Sequence, residues 1–262
     1  LAVRWQVTER LSAKAATGIY HQAPLPEEQS AVFGNPSLGL ARAVHYLVGG
    51  GYRFTDVLSL ETTGFYSKMD SLVMRNPNPS PAVGQALVDS GEGRAFGAQM
   101  MLRCEPVHHF FGWLSASAIR SQRLDLSTGK YRPFDYDQTW VVTAVGSYEL
   151  GRGFEFGARA RWSTGYPRTP VLGALYDARA DSYQPVFGAV NSSRLPDFYQ
   201  LDARLSKRFK LSESSEFEAY LDVQNVTNHA NPEEVVYNYD YTKRSYITGL
   251  PLLPVLGGKL TW

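Results

Sequence analysis

Two stretches of the chain concentrate side chains able to hold a ligand. They are Tyr131-Arg132-Pro133-Phe134-Asp135-Tyr136-Asp137 and Tyr237-Asn238-Tyr239-Asp240-Tyr241. Aromatic faces stack on a ring system, and phenols, carboxylates and a guanidinium hydrogen-bond its edge. The candidate ligand-binding residues are therefore Tyr131, Arg132, Asp135, Tyr136, Asp137, Tyr237, Tyr239 and Tyr241, and the chemistry suits a chelate or a glycan. A plainer reading competes with this one: tyrosines at loop bases form an aromatic girdle or pack loops together. Asp135, Asp137 and Asp240 offer carboxylates to calcium, but not at EF-hand spacing. His108-His109 has no further ligand beside it, and His21, His45 and His229 are scattered, so no metal site is expected. No Ser-His-Asp arrangement or phosphate loop stands out. The chain is read as a non-enzyme without a cofactor.

These residues need elements to carry them, and the elements are strands. Apolar and polar side chains alternate with period two in segment after segment. Phe154, Phe156, Ala158, Ala160 and Trp162 face one way, with Glu155, Arg159 and Arg161 facing the other. Phe217, Ala219, Leu221 and Val223 alternate with Glu218, Tyr220, Asp222 and Gln224. About eleven such strands are expected, beginning near Ala2, Ala13, Val44, Leu58, Phe96, Gly112, Val142, Phe154, Tyr199, Phe217 and Val255. Short turns, such as Gly151-Arg152-Gly153, alternate with long loops over 22–40, 70–93, 122–137, 164–197 and 227–254. The prolines of Asn76-Pro77-Asn78-Pro79-Ser80-Pro81 forbid a ladder in the second loop. Gly49-Gly50-Gly51 falls within a strand, where it permits bending or close approach of another backbone.

Hydrophobic residues make up 44% of the 262, yet no apolar run is long enough for a membrane-spanning helix. A barrel strand shows apolar residues on one side only and needs roughly 9–11 residues, so insertion as a barrel stays open. Aromatics at 13% suit strands and interfacial belts. A net charge of +1 gives no signal for nucleic acid. Cys104 is the one cysteine, so no internal disulfide can form.

The sorting of short turns and long loops is that of an outer-membrane barrel, with the long loops outside the cell. Interior charges such as Glu61, Arg94, Arg103, Arg159, Arg161, Asp202, Arg204 and Asp222 suit a wet or plugged lumen better than a dry core. The last strand ends on Leu260-Thr261-Trp262, the terminal aromatic pattern of outer-membrane barrels, so Leu260 and Trp262 are read as an insertion signal for the barrel-assembly machinery. The chain starts at Leu1 without a leader. Eleven is odd, whereas single-chain bacterial barrels have an even strand number. The expected fold is all-β: an antiparallel transmembrane β-barrel region spanning 1–262, the C-terminal half of a 22-stranded barrel.

The residues resemble the C-terminal barrel of TonB-dependent outer-membrane receptors, over essentially the whole chain. Gly34-Asn35-Pro36-Ser37-Leu38, followed by Tyr46 to Tyr52, is similar to the family's Gly-Asn-Pro-x-Leu … Glu-x-Gly segment, with Val48 near the usual acidic place. Leu60 to Met69, Gly91 to Gly97 and Tyr220 to Asn228 are similar to later strands of the family. The resemblance implies active uptake of a scarce ligand, such as a siderophore, cobalamin or a glycan, across the bacterial outer membrane. It implies as partners the lipid, an N-terminal plug with the remaining strands, and the TonB complex acting through that plug. The plug and TonB box lie outside this sequence. The alternatives are a passive porin-like or structural outer-membrane barrel, and a soluble β-rich carbohydrate-binding module. An outer-membrane hydrolase would need a nucleophile constellation that the sequence lacks.

Overall fold

Alternation dictates the architecture. The computed structural model describes residues 1–262 and contains strands but no helix. In chain order these are β1 (Ala2–Gln6), β2 (Leu11–Gln22), β3 (Ala41–Arg53), β4 (Leu58–Arg75), β5 (Leu87–Val107), β6 (Phe110–Asp125), β7 (Lys130–Pro133), β8 (Trp140–Gly151) and β9 (Phe154–Ser163). They continue with β10 (Pro167–Arg168), β11 (Val171–Asp177), β12 (Ser182–Phe187), β13 (Ser193–Arg194), β14 (Phe198–Lys210), β15 (Glu216–Gln224), β16 (Pro232–Tyr237), β17 (Arg244–Thr248) and β18 (Leu253–Thr261). One antiparallel sheet runs β1-β2-β3-β4-β5-β6-β8-β9-β14-β15-β18, eleven strands in sequence order. It is a partial barrel: β1 and β18 each have a single neighbour.

The two faces differ in kind. One carries Val3, Tyr46, Val48, Phe156, Leu205 and Leu256, and these are exposed; Val48 is 66% and Leu256 81% accessible. Leu38 and Leu195 are the only buried hydrophobic side chains, so no apolar core lies between two layers. A soluble sandwich would bury that face against a second sheet. Here no second sheet packs against it, and the apolar side chains stay on the outside of the sheet. The other face is polar, and its charges pair across strands: Lys14–Glu61 at 3.3 Å, Arg159–Asp202 at 2.6 Å, Arg204–Glu218 at 2.8 Å and Arg204–Asp222 at 3.1 Å. Arg94 departs from the expectation of a lumen charge. It shares the parity of Phe96 and lies on the apolar face, its guanidinium 3.9 Å from the Tyr131 ring centroid.

At one end the turns are tight. His108 and His109 both adopt positive φ (46° and 66°), the requirement of a two-residue hairpin of matching twist. His109 Nδ1 lies 3.2 Å from Glu149, across the neighbouring hairpin. At the other end the expected loops are shorter, because strands extend into them. The loop expected over 70–93 is a strand at both ends, with only 76–86 outside the ladder. Register shifts beside Ser71, which has φ 55°, break the period-two pattern there. The loop expected over 122–137 is largely the β6–β7 hairpin. The last two long loops contain β10 to β13 and β16–β17, in two-stranded sheets of their own. Glycine 49 sits where a Cβ would come within 2.4 Å of the Thr62 carbonyl oxygen, so the neighbouring strand itself requires glycine there.

Candidate functional site

Three connections at the long-loop end converge: β6 to β8, β9 to β14, and β15 to β18. Buried side chains fasten them. Asp137 is 1% exposed; its carboxylate accepts the Ser121 N–H at 2.6 Å and pairs with the Arg194 guanidinium. Arg194 also donates to the carbonyls of Asp137 (2.8 Å) and Gly165 (2.9 Å) and to Thr139 Oγ1 (3.1 Å). A Cβ on Gly165 would lie 1.9 Å from the Leu195 carbonyl oxygen, so this junction closes only around glycine. Asn191 donates to the Pro133 carbonyl at 2.9 Å and to Asp135 at 2.5 Å. Asn225, at φ 51° and 1% exposed, donates to the carbonyls of His229 and Leu250 and so closes the base of the last loop.

Between the β16–β17 hairpin and the β10–β13 ladder lies a cavity of about 490 Å³. Four cations line it: Arg168, Arg194, Lys243 and Arg244, with Tyr237, Tyr241 and Tyr246 alongside. Glu234 is the one carboxylate in the wall, and Arg168 holds it through two contacts of 3.1 Å. The Val235 N–H, with the Arg168 guanidinium, keeps the Glu234 carboxyl below the usual carboxylate range. Arg194 is engaged by Asp137, whereas Lys243 and Arg244 have no carboxylate within ion-pair distance. The cavity therefore presents uncompensated positive charge beside phenol rings. A second cavity of about 370 Å³ shares Arg168 and Leu195 and adds Tyr136, Arg161 and Tyr166.

The structure divides the sequence candidates. Tyr237 and Tyr241 line the first cavity, with ring centroids 5.7 Å apart. Tyr136 lines the second, edge-on to Tyr166. Asp137 acts from beneath, through Arg194. Tyr239 turns away, its hydroxyl bonded to the Asp181 carbonyl and its ring packed on Tyr183 in the β11–β12 hairpin. Tyr131 lies on the apolar face under Arg94, in the manner of a girdle residue. Arg132 Nη1 lies 3.8 Å from Asp135 Oδ1 and is buried without a hydrogen-bond partner. Asp240 is spent on its own turn, its carboxyl held below the usual range by the Thr242 hydroxyl and N–H. Asp135, Asp137 and Asp240 thus have separate partners, and no cluster of three metal-ligating groups forms. Sequence reasoning missed Arg168, Arg194, Lys243, Arg244 and Tyr246. The adjacent cations Lys243-Arg244, two residues beyond Tyr241, were the available signal.

Comparison with known proteins agrees with this architecture. The chain is similar to the ferric-catecholate import receptor Fiu of Escherichia coli K12, at TM-score 0.66 and 14% identity over 99% of this chain and 34% of that one. It is similar to the pyoverdine outer-membrane receptor FpvA of Pseudomonas aeruginosa, at TM-score 0.67 and 13% identity over 99% and 35%. The outer-membrane transporter YddB of Escherichia coli gives TM-score 0.71 and 12% identity over 99% and 40%. The chain spans 34 to 40% of the length of these proteins, and at such identities the likeness is one of fold. No curated protein matches its sequence. A family model described as TonB dependent receptor-like, beta-barrel, matches residues 1–226. The chain therefore belongs to the TonB-dependent receptors, a family of bacterial outer-membrane transport receptors, and forms part of their β-barrel.

Proposed function

We propose that this chain is the C-terminal part of the barrel of a receptor that takes up a scarce anionic ligand, its loop cavity forming part of the binding site. The observation that carries this reading is the wall of Arg168, Arg194, Lys243 and Arg244 with Tyr237, Tyr241 and Tyr246, against the single carboxylate of Glu234. Charge-assisted hydrogen bonds hold carboxylate, catecholate or hydroxamate oxygens, and the phenol rings stack on the ligand's flat parts. A polyanionic metal chelate fits this lining better than a neutral glycan. Two proteins of similar fold are described as a ferric-catecholate import receptor and a pyoverdine outer-membrane receptor, which favours the same class. In this reading a plug domain and further strands complete a barrel of about 22 strands. The TonB complex acts through the plug, and Leu260 and Trp262 guide insertion by the assembly machinery. The ligand residues proposed from the sequence are narrowed to Tyr136, Tyr237 and Tyr241 in direct contact, with Asp137 as a support.

The test is fluorescence quenching of the receptor isolated from outer membranes, titrated with a ferric tris-catecholate. Replacing Lys243 and Arg244 by Gln should weaken binding about ten- to a hundredfold, the scale of one to two lost charge-assisted bonds. Unchanged binding in K243Q/R244Q, with the β-spectrum preserved, would remove the cavity from the binding site.

A further inference from the structure

Two concavities lie away from the loops, on the apolar face of β1 to β6, with volumes of about 760 and 550 Å³. They adjoin through Val48 and Gly64, which line both. The register explains them. Ala15, Val48, Gly64, Ala98 and Ala118 stand side by side on five successive strands, a row of mostly small side chains that makes a trough. Directly above it, toward the long-loop end, Tyr46, Tyr66 and Phe96 form an aromatic row in register.

The same face carries four cations on four consecutive strands: Arg42, Lys68 and Arg94 lie above the aromatics, and Arg120 stands beside Phe96 at the end of their row. Lys68 is paired directly with Arg94, while Arg42 and Arg120 are each one pleat step from that pair. Arg42 meets Asp70 at 3.5 Å. Lys68, Arg94 and Arg120 have no carboxylate within ion-pair distance, and Glu92 on the same face makes no ion pair. Like charges directly opposite on a sheet repel. On an apolar exterior they are tolerated only at the interface, and an anion between them reverses the sign of the interaction.

We infer that this face binds a phosphorylated lipid of the outer leaflet, its phosphates between Lys68, Arg94 and Arg120 and its acyl chains in the trough over Gly64 and Ala98. Charge complementarity and the continuity of trough, aromatic row and cations select a lipid rather than free phosphate, because only a lipid fills all three levels at once.

The experiment uses the receptor isolated from outer membranes, placed in phosphatidylcholine nanodiscs with diphosphorylated lipid A and analysed by native mass spectrometry. Wild-type receptor should retain lipid A, and millimolar inorganic phosphate should not displace it. Lys68→Gln with Arg120→Gln should weaken retention about thirtyfold, at roughly one factor of five to six per interfacial cation removed. Arg120→Lys and the lumen variant Lys14→Gln should bind as the wild type does. Heat-modifiable migration in gels verifies that each variant is folded. Equal retention in K68Q/R120Q, displacement by inorganic phosphate, or a dimer mass with the trough covered by a second copy would each overturn the inference.

Discussion

Asp137, a ligand candidate in the sequence, lies beneath the loop cavity in the structure and outside its wall, held by Arg194. Its carboxylate is buried, and Arg194 reaches it from a different long loop. Arg194→Ala would leave that charge buried and unpaired, at a cost on the scale of about 3 kcal/mol. Hydrogen exchange should then rise across residues 189–197 while β8 and β9 stay protected. Glu234 gives a pH-dependent counterpart. Its carboxyl titrates below its ordinary value because it accepts the Val235 N–H and the Arg168 guanidinium. A depressed folded value means the contact contributes above the ordinary glutamate range and is lost as pH falls through the depressed value. The protection factors of the β16–β17 amides, each rate compared with the intrinsic rate at the same pH, should therefore stay constant at neutral pH and fall only in strong acid; a fall between pH 6 and 8 would contradict it. The tyrosines were legible as ligand candidates because residue type carries that chemistry. Their division was not, since Tyr239 packs on the neighbouring β11–β12 hairpin while Tyr241 packs on Tyr237 of its own.

The strands were the most legible elements. Phe154–Ser163 alternates cleanly from end to end and forms β9 without a register shift against β14. Where alternation is interrupted, legibility fell: the extension of β4 past Met69 is hidden by a bulge, and β11 and β12 are masked by Gly173 and Pro185. The parity of Arg94 was available in the sequence, two residues from Phe96, but a charge on an apolar face is so unusual in mid-membrane that the lumen was the natural assignment. At this scale Gly49→Val is the sharp test. Its Cβ would meet the Thr62 carbonyl oxygen and force β3 from β4. The variant should lose heat-modifiable migration, while Ala98→Val, on the open apolar face, should keep it.

For the molecule as a whole, the open sheet is the governing fact. β1 and β18 each leave one row of backbone groups without a partner, a costly arrangement in hydrocarbon. Further strands beside them would remove that cost. Amides on the outer edges of β1 and β18 should exchange rapidly in these 262 residues refolded alone in detergent and slowly in the receptor from outer membranes. Equal, slow exchange in both would mean that the two edges find each other. The hairpins β11–β12 and β16–β17 stand apart from this ladder; each forms a sheet of its own, and they touch through Tyr239, Tyr183 and Asp181. The barrel can therefore be inherited unchanged while these two flaps are lengthened, shortened or exchanged. Loops built in this way can change in length and sequence while the main ladder keeps its register.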